Sequence, residues 1–255
     1  MRDAGSVAEW IVCPQPRPEA RVRLLCIPYA GGGTNVYRAW RNLLPQEVEL
    51  CLAQLPGREV RFKEPALDRA EPILEALASD LARLRRLPLV LFGHSMGALL
   101  AFELARRLEA EGGLGLAYLC VSGRAAPHLG DREPLHALPE EEFIRALRRL
   151  NGTPEEVFAS AELMRLVLPV VRADLAVDET HAFAPSASVG CPVLALGGTR
   201  DALVSKGALE GWRTYARGAF RAAFCEGDHF FLNQNRTAVL GELAPVLSSV
   251  AERLS

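Results

Sequence analysis

Apolar positions recur in two rhythms along the chain. Short runs at Trp10–Cys13, Val22–Ile27, Val48–Gln54, Leu87–Phe92, Ala117–Val121, Pro192–Leu196 and Phe220–Cys225 read as β-strands. In the inner ones, such as Leu89-Val90-Leu91-Phe92, consecutive residues are all apolar. Successive side chains of a strand point to opposite faces, so a run without alternation predicts burial on both faces, as in a parallel sheet. Between these runs the period lengthens. Ile73, Leu74, Leu77, Leu81 and Leu84 recur at three and four residues, as do Leu99, Leu100, Leu104 and Leu108. Val239, Leu240, Leu243, Val246, Leu247 and Val250 close the chain in the same way. Each set is one face of a helix. Strands alternating with helices predict βαβ crossovers and an α/β fold, a mostly parallel sheet with helices on both faces. No repeat and no linker interrupts it, so 1–255 is expected to be a single domain.

One stretch breaks the rhythm. From Arg124 to Gly190 roughly 65 residues separate two strand candidates, far more than a crossover helix with its loops requires. The stretch carries its own helical stripes, Phe143, Ile144, Leu147 and Leu150, then Leu163, Leu166, Val167, Val170 and Val171. The segment 124–190 is therefore expected to be a helical lid inserted in the domain. Arg124, Arg145, Arg148, Arg149 and Arg165 flank it as candidate docking cations.

Composition narrows the classes. The 255 residues are 49% hydrophobic and 24% charged, which excludes disorder as the main description. A net charge of −2 gives no general attraction to nucleic acid or to an anionic membrane. Of the 29 basic residues only Lys63 and Lys206 are lysine, but the arginines are dispersed rather than clustered. The apolar runs are too short to cross a bilayer, and Met1–Ser6 contains no stretch of signal-peptide length, so a cytoplasmic protein is expected. On that expectation Cys13, Cys26, Cys51, Cys120, Cys191 and Cys225 are read as free buried thiols. No C-x-x-C pair occurs, and neither a metal site nor a cofactor is expected.

Chemistry concentrates in a few loops. Gly93-His94-Ser95-Met96-Gly97 is a G-x-S-x-G sequence between an apolar strand and a helix, the setting that exposes a nucleophilic serine on a sharp turn. Such a serine needs a histidine base and an orienting acid, in the chain order Ser, acid, His. His229 follows the strand candidate Phe220–Cys225 directly, whereas His128, His136 and His181 fall in the insert and His94 sits inside the turn, placed to pack beside the nucleophile. Asp201 leaves the preceding strand through Gly197-Gly198-Thr199-Arg200 and is preferred over Asp228, the sequence neighbour of His229. Asp174 and Asp178 belong to the insert. Two backbone N–H groups are needed for an oxyanion: one from Met96, and one from the loop Pro28-Tyr29-Ala30-Gly31-Gly32-Gly33. The glycines of that loop lack the G-K-[ST] and G-x-G-x-x-G spacing of phosphate loops.

Together with Gln54-Leu55-Pro56-Gly57-Arg58 and Leu168-Pro169-Val170-Val171-Arg172-Ala173-Asp174, these motifs resemble the type II thioesterases of polyketide and nonribosomal peptide synthesis, members of the α/β-hydrolase superfamily. The resemblance runs from about Ile27 to Leu232. It implies hydrolysis of acyl groups from the phosphopantetheine arm of carrier domains, with no cofactor of the enzyme's own and carrier proteins as partners. It implies Ser95, Asp201 and His229 as the triad, and Ala30 and Met96 as oxyanion donors. Members often carry Tyr two residues after the position of Glu179, where this chain has His181, a difference that bears on acyl preference. A broad small-ester or acyl-CoA hydrolase and a non-catalytic hydrolase-fold binding protein are the alternatives. A monomer is expected.

Overall fold

The strand runs assemble into one seven-stranded sheet of order β1-β3-β2-β4-β5-β6-β7. The computed structural model describes residues 9–84, 87–112, 115–129 and 133–252. Met1–Ser6, read above for a signal peptide, lies outside them. The strands are β1 Ile11–Val12, β2 Val22–Ile27, β3 Val48–Ala53, β4 Leu89–His94, β5 Leu116–Ser122, β6 Val193–Gly198 and β7 Phe220–Cys225. All neighbours pair parallel except β1 with β3. The helices are α1 Asn35–Arg38, α2 Ala70–Leu81, α3 Met96–Ala110, α4 Glu140–Leu150, α5 Glu155–Phe158, α6 Ala161–Thr180, α7 Lys206–Glu210, α8 Phe231–Gln234 and α9 Arg236–Glu252. Among the described residues no helix is long and apolar enough to cross a membrane.

The reason the inner strands lack alternation is visible in their two faces. Leu25, Ile27, Leu91, Leu119, Val121 and Ala195 pack with α2 and α3 on one side. Their sequence neighbours Leu24, Cys26, Val90, Cys120 and Leu194 pack with Tyr37, Trp40 and α9 on the other. Fully burying a Leu or Val side chain contributes about 1.5–3 kcal/mol, so both faces hold the sheet. The architecture is the mostly parallel sheet with helices on both faces expected from the pattern.

Edge strand β1 overturns one expectation. Its antiparallel register pairs Ile11 with Ala53 and Val12 with Leu52, which brings Cys13 opposite Cys51. Their Cα atoms lie 4.3 Å apart and the two form a disulfide. A two-residue edge strand carries too little pattern for its partner to be read, so the free-thiol reading fails for this pair. Cys26, Cys120, Cys191 and Cys225 are free and buried as expected. Cys13, Cys51 and Glu49 are also the one grouping of metal-capable side chains among the described residues, but sulfurs bonded to each other are not thiolate ligands.

The long stretch after β5 holds α4, α5 and α6, with a small apolar cluster of its own around Phe143, Leu147 and Val171. The inward stripe of α6 is offset from the one read in the sequence. Val167, Leu168, Val171 and Leu175 join the cluster, whereas Leu163 and Leu166 are 41% and 61% exposed. The helix carries apolar residues around most of its girth, so periodicity alone did not phase it.

Candidate active site

Ser95 caps the N-terminus of α3 with φ +53° and ψ −115°, a conformation rare for a residue with a side chain. The flanking glycines make it possible. A Cβ on Gly93 would meet the Gly97 carbonyl oxygen at 1.9 Å, and one on Gly97 would meet the Ile27 carbonyl oxygen at 2.2 Å. The turn is tied to β5 by the Ser95 N–H, which donates to the Ser122 carbonyl at 2.8 Å. Strained backbone of this kind persists where the surroundings over-determine it.

His229 and Asp201 leave neighbouring strands β7 and β6 at the same sheet end. His229 Nδ1 is 2.9 Å from Asp201 Oδ2. Asp201 Oδ1 accepts from the N–H groups of Leu203 at 2.8 Å and Val204 at 3.2 Å, and the carboxylate is fully shielded from solvent. Burial pushes the Asp201 pKa up, but the hydrogen bond from His229, its charge and the two backbone N–H groups outweigh burial and hold it below its usual value. The rival Asp228 faces its own turn, accepting from the Phe230 N–H at 2.8 Å and from Gln234 Nε2 at 2.9 Å.

His94 packs beside this pair, its ring 5.2 Å from that of His229, with Nδ1 2.9 Å from Ser122 Oγ. Burial, and then the neighbouring His229, push its pKa well below the usual value. The neutral ring is thereby favoured at this position.

Ser95 and His229 open into one cavity of about 890 Å³. Its floor includes Tyr29, Ala30 and Gly31 from the loop after β2, and its roof Leu150, Val167, Val171 and Leu175. Of the two expected donor residues, Ala30 lines the cavity, and Met96 is the first residue of α3, where an N–H has no partner within the helix. Within the loop, Gly31 N–H donates to Asp174 Oδ2 at 2.7 Å and Gly32 N–H to the Tyr29 carbonyl at 2.8 Å. Ala30 N–H takes part in neither bond.

Charged groups collect at another part of the wall. Arg124 pairs with Asp178 there, and its Nη1 is 3.5 Å from the Ser95 carbonyl oxygen. With its side chain 14% exposed, Arg124 belongs to the cavity rather than to a docking surface, contrary to its sequence reading. Glu179 accepts from the N–H groups of Leu135 and His136, both at 2.9 Å, and lies 2.6 Å from His136 Nδ1. His181 also lines the cavity, edge-on to Phe183, with Nε2 3.5 Å from Glu103 Oε1.

Two residues with no role read in the sequence stand out. Asp174 of α6 is 1% exposed, and its carboxylate takes a forked pair of hydrogen bonds from Arg58, Nη1 to Oδ2 at 2.5 Å and Nη2 to Oδ1 at 2.8 Å. The signal was present as an Asp inside an apolar helical stretch, but its partner is 116 positions away.

Residues 22–247 match the thioesterase domain family. The chain is 41% identical over 233 residues to the gramicidin S biosynthesis protein GrsT of Aneurinibacillus migulanus, covering 91% of each chain. It is 38% identical to the thioesterase PikA5 of Streptomyces venezuelae, covering 92% of this chain and 84% of that one. The solved type II thioesterase BorB of the borrelidin biosynthetic cluster superposes with a TM-score of 0.84 at 37% identity, over 93% of this chain and 97% of that one. The strained serine, the histidine–aspartate pair on the same cavity and these relatives agree, and the chain belongs to the type II thioesterases of the α/β-hydrolase fold.

Proposed function

We propose that the protein hydrolyses acyl thioesters carried on the phosphopantetheine arm of acyl or peptidyl carrier proteins, through an acyl-Ser95 intermediate, and so frees carriers blocked by aberrant groups. The observation that carries this reading is the 2.9 Å contact between His229 and Asp201 at the edge of the cavity that Ser95 enters. Asp201 holds the proton on His229 Nδ1, which leaves Nε2 as the base. Ser95 Oγ attacks the thioester carbonyl carbon as its proton passes to Nε2, and the carbonyl oxygen becomes an oxyanion facing the N–H groups of Ala30 and Met96. Collapse breaks the C–S bond, and the imidazolium returns its proton to the departing thiolate. Water then attacks the Ser95 ester as the same nitrogen takes its proton, and that proton passes to the departing Ser95 Oγ as the C–O bond breaks and the free acid leaves. A thiol of pKa about 8.5 is a good leaving group, so the demanding steps are attack and oxyanion stabilisation.

In this reading the segment from 124 to 190 serves as the lid. Its helices supply the apolar roof where an acyl chain would lie, and the cavity volume suits a medium-length chain better than a whole carrier domain. Support for carrier-borne substrates comes from relatives named for gramicidin S biosynthesis and, at 28% identity, for an NRPS/PKS biosynthetic pathway. The test is intact-mass monitoring of a panel of acylated carriers beside acyl-CoA and a simple ester. Carriers should be stripped in preference to both, with Ser95→Ala inactive. Equal rates on the simple ester would assign a broad esterase instead.

A further inference from the structure

We propose that Arg58 and Asp174 are positioning residues: together they hold the loop that presents the Ala30 N–H, and so make the oxyanion site depend on the seating of α6. This rests on the reading of Ala30 as an oxyanion donor.

The loop after β2 has few means of holding itself. It runs Tyr29-Ala30-Gly31-Gly32-Gly33, and glycine leaves the backbone free to sample many conformations. Its internal bond, Gly32 N–H to the Tyr29 carbonyl, closes one turn. Tyr29 is held by its ring against His94 and Phe230 and by Asn233 Nδ2 donating to its hydroxyl, and the Gly33 carbonyl accepts from Val36 N–H, but the peptide groups of Gly31 and Gly32 are held from two distant segments. Asp174 accepts from Gly31 N–H at 2.7 Å, and Arg58 Nη1 donates to the Gly32 carbonyl at 2.9 Å. The peptide groups on the C-terminal side of Ala30 are thereby pinned by one carboxylate and one guanidinium that also bind each other. Arg58 is fixed in turn by Nε donating to the Pro56 carbonyl at 3.1 Å. The next residue, Glu59, secures the far end of the loop by accepting from Thr34 N–H and Asn35 N–H, each at 2.9 Å.

Asp174 is not part of the sheet that carries the loop; it belongs to α6. A second contact from the same helix meets the loop at the same residue. Gly31 has φ +78°, and a Cβ there would lie 2.9 Å from Val171 Cγ2. One turn of α6 thus touches Gly31 by a side-chain methyl and by a carboxylate, while Val171 also lines the acyl cavity. A ligand or motion that lifts α6 removes the Gly31 bond and releases the donor loop.

The chemistry favours positioning over stability as the purpose. Isolating a carboxylate and a guanidinium from water is costly, and apolar residues of similar volume often hold a core equally well. What they do not supply is a fixed direction for a backbone N–H. An oxyanion donor misplaced by about 1 Å loses most of its effect, and loss of one donor lowers kcat on the order of 10²–10³-fold.

The test compares wild type, Asp174→Asn, the apolar double variant Arg58→Met/Asp174→Leu, and Ser95→Ala. Each is assayed for hydrolysis of an acyl-pantetheine thioester, for inhibition by a chain-matched trifluoromethyl ketone that forms an anionic hemiketal with Ser95, and for binding of the chain-matched amide. The double variant leaves no unpaired buried charge, so it remains informative if Asp174→Asn unfolds. Expected are a fall in kcat of about 100-fold, the scale of one lost donor, a parallel rise in the ketone inhibition constant, and amide binding unchanged within about twofold. A folded double variant with wild-type kcat and ketone affinity overturns the proposal while leaving the catalytic reading intact. Full turnover in Ser95→Ala overturns the catalytic reading and the proposal with it.

Discussion

Asp201 Oδ2 lies 2.9 Å from His229 Nδ1 although 28 positions of sequence separate them. Parallel pairing of β6 with β7, Gly197 opposite Phe224 and Gly198 opposite Cys225, delivers both loops to the same end of the sheet. Asp201 and His229 therefore meet through strand register.

Asp201→Asn should lower kcat about 10⁴-fold by favouring the wrong histidine tautomer, while Asp228→Asn should cost less than about tenfold. A reversal of the two in steady-state assays would reassign the acid. Because the folded-state pKa of Asp201 is lowered, its ionised form stabilises the fold above the unfolded-state value, and that contribution is lost as pH falls through the folded-state value. The gap in denaturant midpoint between wild type and Asp201→Asn should be widest near neutrality and should close on acidification. A gap that widens in acid would contradict the assignment.

Burial pushes the thiols of Cys191 and Cys225 up, to about 12 and about 11, with Glu109 and Glu242 respectively adding to the effect. Burial also raises Cys26 and Cys120. Native protein at about pH 7.5 should consequently take up almost no maleimide. Unfolding without reductant should expose four reactive thiols, and reduction should add the two of Cys13 and Cys51. Mass spectrometry counts the labels; six without reductant would remove the disulfide.

The roof of the cavity should set acyl length. Val167→Trp or Leu150→Trp should shift preference toward shorter chains by about tenfold in relative kcat/KM, since both residues line the cavity. Leu166→Trp, at a position 61% exposed, should change nothing. Equal losses for short and long acyl groups in the first two variants would make the helices a structural layer only.

Carrier docking should be electrostatic and weak. Arg145, Arg149 and Arg165 are exposed on α4 and α6. Each contributes little affinity alone, about 0–1 kcal/mol, but together they steer encounter with an acidic surface. Changing all three to Glu should lower kcat/KM for an acyl-carrier by about tenfold at low salt, and leave the acyl-pantetheine substrate within about twofold. Parallel losses on both substrates would place the effect in the enzyme itself.

What the sequence determined was the local part of the structure. Period and composition give the strands, the crossover helices and the parallel sheet, because each follows from the burial of side chains two, three or four residues apart. The elbow is local in part: a Cβ on Gly93 would meet Gly97 within the turn itself, whereas the need for glycine at 97 comes from the Ile27 carbonyl of the neighbouring strand. His229 and Asp201 could be chosen because α/β topology sends successive strand ends to one edge. Tertiary structure decided the rest. The partner of Cys13 came from an antiparallel edge register that two residues cannot encode. The inward face of α6 depended on which side met the cavity, since Leu166 and Val167 are equally apolar and only one is covered. Arg124, a surface cation by its place in the sequence, is held at the cavity wall by Asp178, 54 positions away. Arg58 and Asp174 acquired a role only when a helix outside the sheet was laid against the loop of Ala30. Hydrogen-bonded charge pairs across such distances leave no periodic trace in sequence, because their geometry exists only after the core has brought the segments together.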